Sequence, residues 1–150
     1  MKVVIQRVIS ANVKINKQIY SKIEKGYLIL LGIGQNDTIE DVNWLVNKIS
    51  NLRIFGDRDG KMNLSIKEIN GDILLISQFT LFAQTKKGNR PSFIKSAKPE
   101  KAIPLYKLMI KSLSESLNQP IKTGEFGADM QVSLINDGPV TIIIDTENKA

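Results

Sequence analysis

Near the C-terminal end of the chain, the segment Asn136 to Thr141 (Asn-Asp-Gly-Pro-Val-Thr) joins two apolar runs, Met130 to Ile135 and Val140 to Ile144. Alternation of apolar and polar residues is typical of half-buried strands. Two such runs around Asp-Gly predict a β-hairpin with its turn in this segment. Pro139 is unusual there, because proline has no N–H for a strand ladder and a Gly-Pro bond adopts the cis form at low cost. We therefore predict a corner that presents backbone carbonyls and few side-chain atoms.

The other apolar runs of the chain predict a sheet. Strands are predicted at Lys2 to Ile9 and at Ala11 to Ile15, from their period of two. The continuous apolar runs Tyr27 to Ile33 and Ile73 to Phe82 predict two further strands, the first of them buried on both faces. Short strands are predicted after Pro120.

Two amphipathic helices are predicted between these strands. Asp37 is predicted to cap the first helix, with Glu40 three residues later completing a capping box. The second is predicted from about Pro99 to Leu117; Pro104 should break or kink it, unless the helix begins near Ile103. The residues predicted to face the core are Ile39, Val42, Leu45, Val46, Ile49 and Leu52 in the first helix and Tyr106, Met109, Ile110, Leu113 and Leu117 in the second.

The order strands, helix, strands, helix, strands indicates one α/β domain over residues 1–150. We predict a single mixed, largely antiparallel and barrel-like sheet with two main helices. No apolar run reaches the length of a membrane span, and the charged N-terminus does not resemble a signal peptide. The chain is therefore expected to be cytoplasmic.

The sequence contains neither cysteine nor histidine. Disulfides, thiolate nucleophiles and zinc–sulfur sites are excluded, and so is the commonest general base of enzymes. The acidic pair Asp57 and Asp59 lacks the ligand count of a calcium loop, so we predict no metal and no cofactor. A hydrolase of this composition has to use backbone groups, hydroxyls, carboxylates, lysines or the substrate itself.

The net charge of +6 is concentrated in one segment. Between residues 86 and 101 a single anion, Glu100, accompanies six cations: Lys86, Lys87, Arg90, Lys95, Lys98 and Lys101. A solvated loop explains such a run, but its concentration also favours a polyanion such as a nucleic acid.

The main polar cluster, Ser77-Gln78-Phe79-Thr80-Leu81, lies in the predicted strand Ile73 to Phe82. Alternation along that strand would place Gln78 and Thr80 on one side and Ser77 on the other. The cluster is either a satisfied core network or a functional site. Thr80 has no base nearby in sequence to make it a nucleophile, whereas backbone N–H groups beside it could hold an oxyanion.

These motifs, taken together, resemble the D-aminoacyl-tRNA deacylase family. The resemblance rests on Ser77 to Leu81, on Asn89-Arg90-Pro91-Ser92-Phe93 and on Asn136 to Thr141. It extends to the opening Val4-Ile5-Gln6-Arg7-Val8, to Arg53-Ile54-Phe55, to Gly60-Lys61-Met62-Asn63-Leu64 and to the segment Ala128 to Leu134. Several ordered motifs over the whole chain are more specific than any one of them.

The resemblance implies a homodimeric enzyme that hydrolyses the ester of D-aminoacyl-tRNA and also clears mischarged glycyl-tRNA. The family's Gly-cisPro motif maps onto Gly138 and Pro139, which each subunit would insert into its partner's active site to select chirality. Ser77, Gln78, Phe79 and Thr80 would form the catalytic pocket floor, where the threonine has been interpreted either as a nucleophile or as a backbone anchor. We favour the anchor, with the substrate's ribose 2′-hydroxyl assisting hydrolysis.

Residues Lys86, Lys87, Arg90 and Lys95 are candidates for tRNA binding. One alternative is a non-catalytic tRNA- or RNA-binding module that uses the basic segment 86–101. Another is a hydrolase of small esters on the same fold, since a fold does not determine a function.

Overall fold

The computed structural model describes residues 1–150 and contains a six-stranded mixed sheet. The chain has eight strands: β1 (Lys2–Ile15), β2 (Gln18–Ile23), β3 (Gly26–Gly32), β4 (Phe55–Gly56), β5 (Met62–Leu64), β6 (Asp72–Ser77), β7 (Lys122–Thr123) and β8 (Gln131–Asp145). The six-stranded sheet follows the order β2-β1-β3-β6-β7, with β8 paired to the other edge of β1, and β4 and β5 form a separate two-stranded sheet. Only the β3–β6 and β6–β7 pairs are parallel, so the predicted mixed, largely antiparallel sheet with two helices is confirmed.

The predicted C-terminal hairpin is wrong, because both apolar runs belong to the single long strand β8. On both sides of an irregularity, β8 pairs antiparallel with β1, which is itself continuous where two strands were predicted. Val8 pairs with Asn136 and Gln6 pairs with Thr141, so the four residues from Asp137 to Val140 lie opposite Arg7 alone. This irregularity is where Pro139 is tolerated, since no ladder bond is required of it. The segment is a bulge in a strand rather than a turn between strands.

The second half of the predicted strand Ile73 to Phe82 is also wrong. β6 ends at Ser77, and a 3₁₀ helix occupies Phe79–Phe82. The neighbouring strand β3 ends at Gly32, and the N–H of Gln78 donates to the Leu31 carbonyl as the last bond of the pair. The 3₁₀ helix then packs over Gly32, where an added Cβ would lie 3.0 Å from the Leu81 Cβ. Strand alternation therefore does not decide how Gln78 and Thr80 point.

The first helix, α1 (Ile39–Asn51), is capped by Thr38 rather than by Asp37. The Asp41 carboxylate accepts a hydrogen bond from the Thr38 N–H at 2.8 Å, which completes the capping box. Asp37 is buried and accepts instead from the N–H of Gly34 and from the ammonium of Met1. The predicted stripe of α1 is buried at Val42, Leu45, Val46 and Ile49, whereas Ile39 is exposed and Leu52 half-buried at the helix end.

The second helix, α2 (Pro99–Leu117), runs through Pro104 without a break. Pro104 and Glu100 are both exposed, so water can hydrate the carbonyl that the proline leaves without a donor. Tyr106, Met109 and Leu113 are buried as predicted, and Ile110 and Leu117 are half-buried. Neither helix is long and apolar enough to cross a membrane.

Two apolar cores result from the curled sheet. The larger one lies between the sheet and the two helices and includes Ile5, Leu45 and Met109. The smaller one is lined by β1, β3 and β6, with Val132 and Leu134 of β8 packed against it. Its open end, beyond the last residues of β3 and β6, is the position of the cavity described below.

Candidate active site

A cavity of about 320 Å³ opens beyond the C-terminal ends of β3 and β6. Most of its surface is apolar, and the lining residues with polar side chains are Ser77, Gln78, Ser96 and Asp129. The residues that line it are Leu31, Ile33, Ile76, Ser77, Gln78, Phe79, Ser96, Ala97, Ala102, Phe126, Gly127, Ala128, Asp129, Met130 and Val132. Three of the four predicted catalytic residues, Ser77, Gln78 and Phe79, therefore lie at one cavity.

Main-chain donors at this cavity come from the start of the 3₁₀ helix. Its first internal bond runs from the Leu81 N–H to the Gln78 carbonyl at 3.2 Å, so the helix leaves the N–H groups of Phe79 and Thr80 without acceptors. The N–H of Gln78 is already used, because it donates to the Leu31 carbonyl at 2.7 Å. Phe79 lines the cavity and Thr80 follows it in the chain, so these two N–H groups, beside the cavity, are the main-chain candidates to hold an oxyanion.

The side chain of Thr80 lacks a group that could activate it. Its Oγ1 accepts a hydrogen bond from the amide of Gln78, which cannot take up a proton. Asp129 is the one ionisable side chain among the lining residues. Tyr106 packs against the lining residue Phe126, its hydroxyl donates to the Leu75 carbonyl at 3.2 Å, and burial raises its pKa to about 12, further from the range in which it could act as a base. The site is therefore poor in acid–base groups.

The corner at Gly138 and Pro139 is exposed, and its peptide bond is cis. The amide of Asn136 closes the corner by donating to the carbonyls of Arg7 and Val140, at 3.1 and 3.0 Å. The Arg7 guanidinium reaches behind it and donates to the carbonyls of Ile54, at 2.6 Å, and Asp137, at 3.2 Å. The bulge in β8 is consequently held by side chains rather than by a strand ladder.

Within one chain, the corner and the cavity do not meet. Across the sheet, Ser77 pairs with Leu31, Leu31 with Val3, and Val3 with Ile144. Gly138 lies in the bulge opposite Arg7, and Arg7 is four residues from Val3, which corresponds to about 13 Å along β1 at its usual rise, in addition to the width of the strands between. The structure thus separates the two predicted parts of the site, Ser77 to Thr80 and Gly138-Pro139.

The candidate tRNA-binding residues lie on an exposed loop next to the cavity. Lys86, Lys87 and Arg90 follow the 3₁₀ helix in a loop closed by paired hydrogen bonds between Gln84 and Ser92. Lys95 directly precedes Ser96, which lines the cavity. None of these four cations takes part in an ion pair, so their charge faces solvent.

Sequence reasoning did not assign the wall formed by Phe126 to Met130, nor the role of Arg7 at the corner. The wall lies in an irregular segment between β7 and β8, where Gly124 and Gly127 were the available signal. Gly127 has a positive φ of 80°, which glycine tolerates. Arg7 belongs to β1 and is 130 residues away in sequence from Asp137, so only the folded chain reveals that contact.

Comparison with known proteins identifies the family. The family model described as D-Tyr-tRNA(Tyr) deacylase matches residues 4–145. A D-aminoacyl-tRNA deacylase of Flavobacterium psychrophilum is 62% identical over 99% of both chains. This chain belongs to the D-aminoacyl-tRNA deacylase family. The D-aminoacyl-tRNA deacylase motifs recognised in the sequence are thereby confirmed, and with them a hydrolase rather than a non-catalytic RNA-binding module.

Two solved structures share the fold of this D-aminoacyl-tRNA deacylase family member. The c-Myc DNA Unwinding Element Binding Protein is 40% identical, with a TM-score of 0.92 over 97% of this chain and 99% of its own. A probable eukaryotic D-amino acid tRNA deacylase has a TM-score of 0.80 at 16% identity, over 95% of this chain and 97% of its own. The second likeness concerns the fold alone.

Proposed function

We propose that this enzyme hydrolyses the ester between a D-amino acid, or glycine, and the terminal adenosine of tRNA within the cavity at Ser77 to Phe79. The observation that carries the proposal is the cavity's composition, which is largely apolar with one ionisable side chain, beside a 3₁₀ helix whose first N–H groups have no acceptor within the helix. Such a site can bind a nucleoside and polarise a carbonyl, but it offers little acid–base catalysis. The substrate would have to contribute to the chemistry.

In this mechanism the ester carbonyl oxygen accepts from the N–H groups of Phe79 and Thr80, while the Gln78 side chain positions Thr80. Water adds to the carbonyl carbon, and the bond between that carbon and the ribose 3′-oxygen breaks, which releases the amino acid and tRNA. The neighbouring ribose 2′-hydroxyl assists the proton transfers, since it arrives with the substrate at high effective concentration.

Selection for chirality is assigned to Gly138 and Pro139 of a second subunit. This corner is exposed and lies far from the cavity of its own chain, so an intermolecular arrangement accounts for both observations. Backbone carbonyls of the corner would accept hydrogen bonds from the substrate ammonium and leave no room for an L side chain. Glycyl-tRNA would also be accepted as a substrate, because glycine has no side chain to exclude.

The basic loop is assigned to the tRNA backbone. Lys86, Lys87, Arg90 and Lys95 are exposed, free of ion pairs and next to the cavity. Contacts of this kind supply affinity without reading sequence.

The direct test is release of D-tyrosine from D-tyrosyl-tRNA by the purified protein, with L-tyrosyl-tRNA and glycyl-tRNA measured in parallel. We expect rapid release from the D and glycyl substrates and little from the L substrate. Equal cleavage of both enantiomers would contradict the chirality filter. Rapid cleavage of simple D-amino-acid esters without adenosine would instead favour the small-ester hydrolase.

Removing the Thr80 hydroxyl should reduce the rate of deacylation only modestly. We expect Thr80→Ala to retain kcat within about tenfold of the wild type, because its N–H remains and its hydroxyl has no base beside it. Single-turnover deacylation of D-tyrosyl-tRNA measures this, with Asp129→Asn as a check on the one carboxylate at the cavity. A loss of about four orders of magnitude in Thr80→Ala, with fold and tRNA binding intact, would restore a covalent mechanism.

A further inference from the structure

An aromatic pair lies at the mouth of the cavity. The rings of Phe79 and Phe93 meet edge to face, with centroids 5.1 Å apart and planes at 75°. Phe79 lines the cavity and is 56% exposed, whereas Phe93 is half-buried and is not among the lining residues. The pair therefore leads from the cavity onto the surface, and its exposed area contributes little to the core.

The position of Phe93 is preset by the backbone on both sides. Before it, Gln84 and Ser92 exchange hydrogen bonds at 2.8 and 3.0 Å. After it, the Ala97 N–H donates to the Ile33 carbonyl at 2.9 Å, and the Ser96 N–H donates to the carbonyl of Phe93 itself, also at 2.9 Å. The backbone that carries the ring is thus ordered before a ligand binds, so less entropy is lost when a flat ligand stacks on the ring.

The surroundings of the pair are positively charged and apolar. Arg90 and Lys95 flank Phe93 in sequence, and both are exposed. No carboxylate side chain occurs from Ala83 to Pro99, and Ile94 is 71% exposed. Exposed aromatic rings among cations without ion-pair partners are the combination by which proteins bind single-stranded nucleic acids.

We infer that Phe79 and Phe93 form a stacking platform for the unpaired nucleotide that precedes the terminal adenosine of tRNA. Arg90 and Lys95 contact the phosphates of that strand. The inference rests on the proposed function, because the terminal adenosine has to occupy the cavity that Phe79 borders. Stacking accepts any base, so the platform adds affinity without selecting among tRNAs. A competing occupant of the same surface is the second subunit.

The test compares Phe93→Ala, Phe93→Leu and Phe93→Tyr on two substrates, D-tyrosyl-tRNA and the D-tyrosyl ester of adenosine alone. We expect the Ala and Leu variants to lose about tenfold in kcat/KM on the tRNA, as for the loss of one stacked base. The Tyr variant keeps a ring face and should match the wild type. All three should cleave the adenosine ester within about twofold of the wild-type rate.

Several outcomes would overturn the inference. Undiminished activity of Phe93→Ala on D-tyrosyl-tRNA would show that Phe93 is not a stacking platform. An equal loss of activity on D-tyrosyl-tRNA and on the adenosine ester would show that Phe93 instead supports the structure of the cavity. Full activity of Phe93→Leu shows that bulk, not a ring face, is required. Dissociation of an oligomer in Phe93→Ala, measured by sedimentation, assigns the surface to the second subunit. If the wild type cleaves neither ester, the proposed function itself fails, and this inference with it.

Discussion

Gly138→Ala should lower kcat/KM for D-tyrosyl-tRNA by about a hundredfold, the cost typical of a misplacement of about 1 Å at a site. A Cβ at this position would lie 3.0 Å from the Arg7 Nη2, 3.0 Å from the Val140 Cγ2 and 3.2 Å from the Val140 nitrogen. Arg7 cannot yield freely, because its guanidinium is bonded to the carbonyls of Ile54 and Asp137. The φ of Gly138, +122°, also disfavours any L side chain.

Steady-state deacylation measures this effect, with Gly60→Ala as the matched control. Gly60 has a φ of +75° but nothing within 4 Å of its added Cβ. Gly60→Ala therefore places a side chain on a left-handed backbone without creating steric contacts. Unchanged kinetics of Gly138→Ala on the D substrate would contradict the role given to the corner.

Mixing two impaired variants tests whether the corner acts on a second subunit. Gly138→Ala has an intact cavity, and Ala128→Trp, which fills the cavity, has an intact corner. If the corner acts on its partner, a mixed dimer contains one site with both parts intact. Co-refolded protein should then recover activity that neither variant has alone. No recovery, with mixed dimers demonstrated, would place corner and cavity in the same chain.

Gly26→Ala should destabilise the fold by about 3 kcal/mol in the free energy of unfolding. An added Cβ would lie 1.8 Å from the carbonyl oxygen of Asp72 and 2.6 Å from its nitrogen, both backbone atoms of the paired strand β6. Asp72 is held in place by its N–H bond to the Lys25 carbonyl at 2.9 Å. The strands β3 and β6 would have to move apart at their first pair.

Thermal unfolding followed by circular dichroism measures this loss, which corresponds to roughly 10 °C in Tm for a chain of this size. Gly56→Ala is the control, because its added Cβ meets nothing closer than the Gly60 Cα at 4.0 Å. A Gly26→Ala protein with the wild-type Tm would show that β3 and β6 do not pair in this register.

Local sequence patterns predicted those strands and helices in which the pattern of buried and exposed residues stays regular from end to end. The alternating and continuous apolar runs located β1 (as two strands), β3 and β6, and the helical stripes located α1 and α2. The errors fall where a distant partner decides the backbone. Asp37 would suit a cap, but the buried ammonium of Met1 and the Gly34 N–H bind it instead.

The absence of histidine and cysteine determined how the chemistry has to work, because side-chain composition alone excludes those bases and nucleophiles. Ordered motifs determined the family, since their spacing is a property of the chain. Tertiary structure alone decided that Asn136 to Thr141 is a bulge in one strand, because pairing of β8 with β1 across 130 residues outweighs a local turn preference. It also decided that a 3₁₀ helix begins at Phe79, since β3 ends at Gly32 and β7 pairs with β6 only as far as Leu75, so the chain beyond Ser77 has no strand partner.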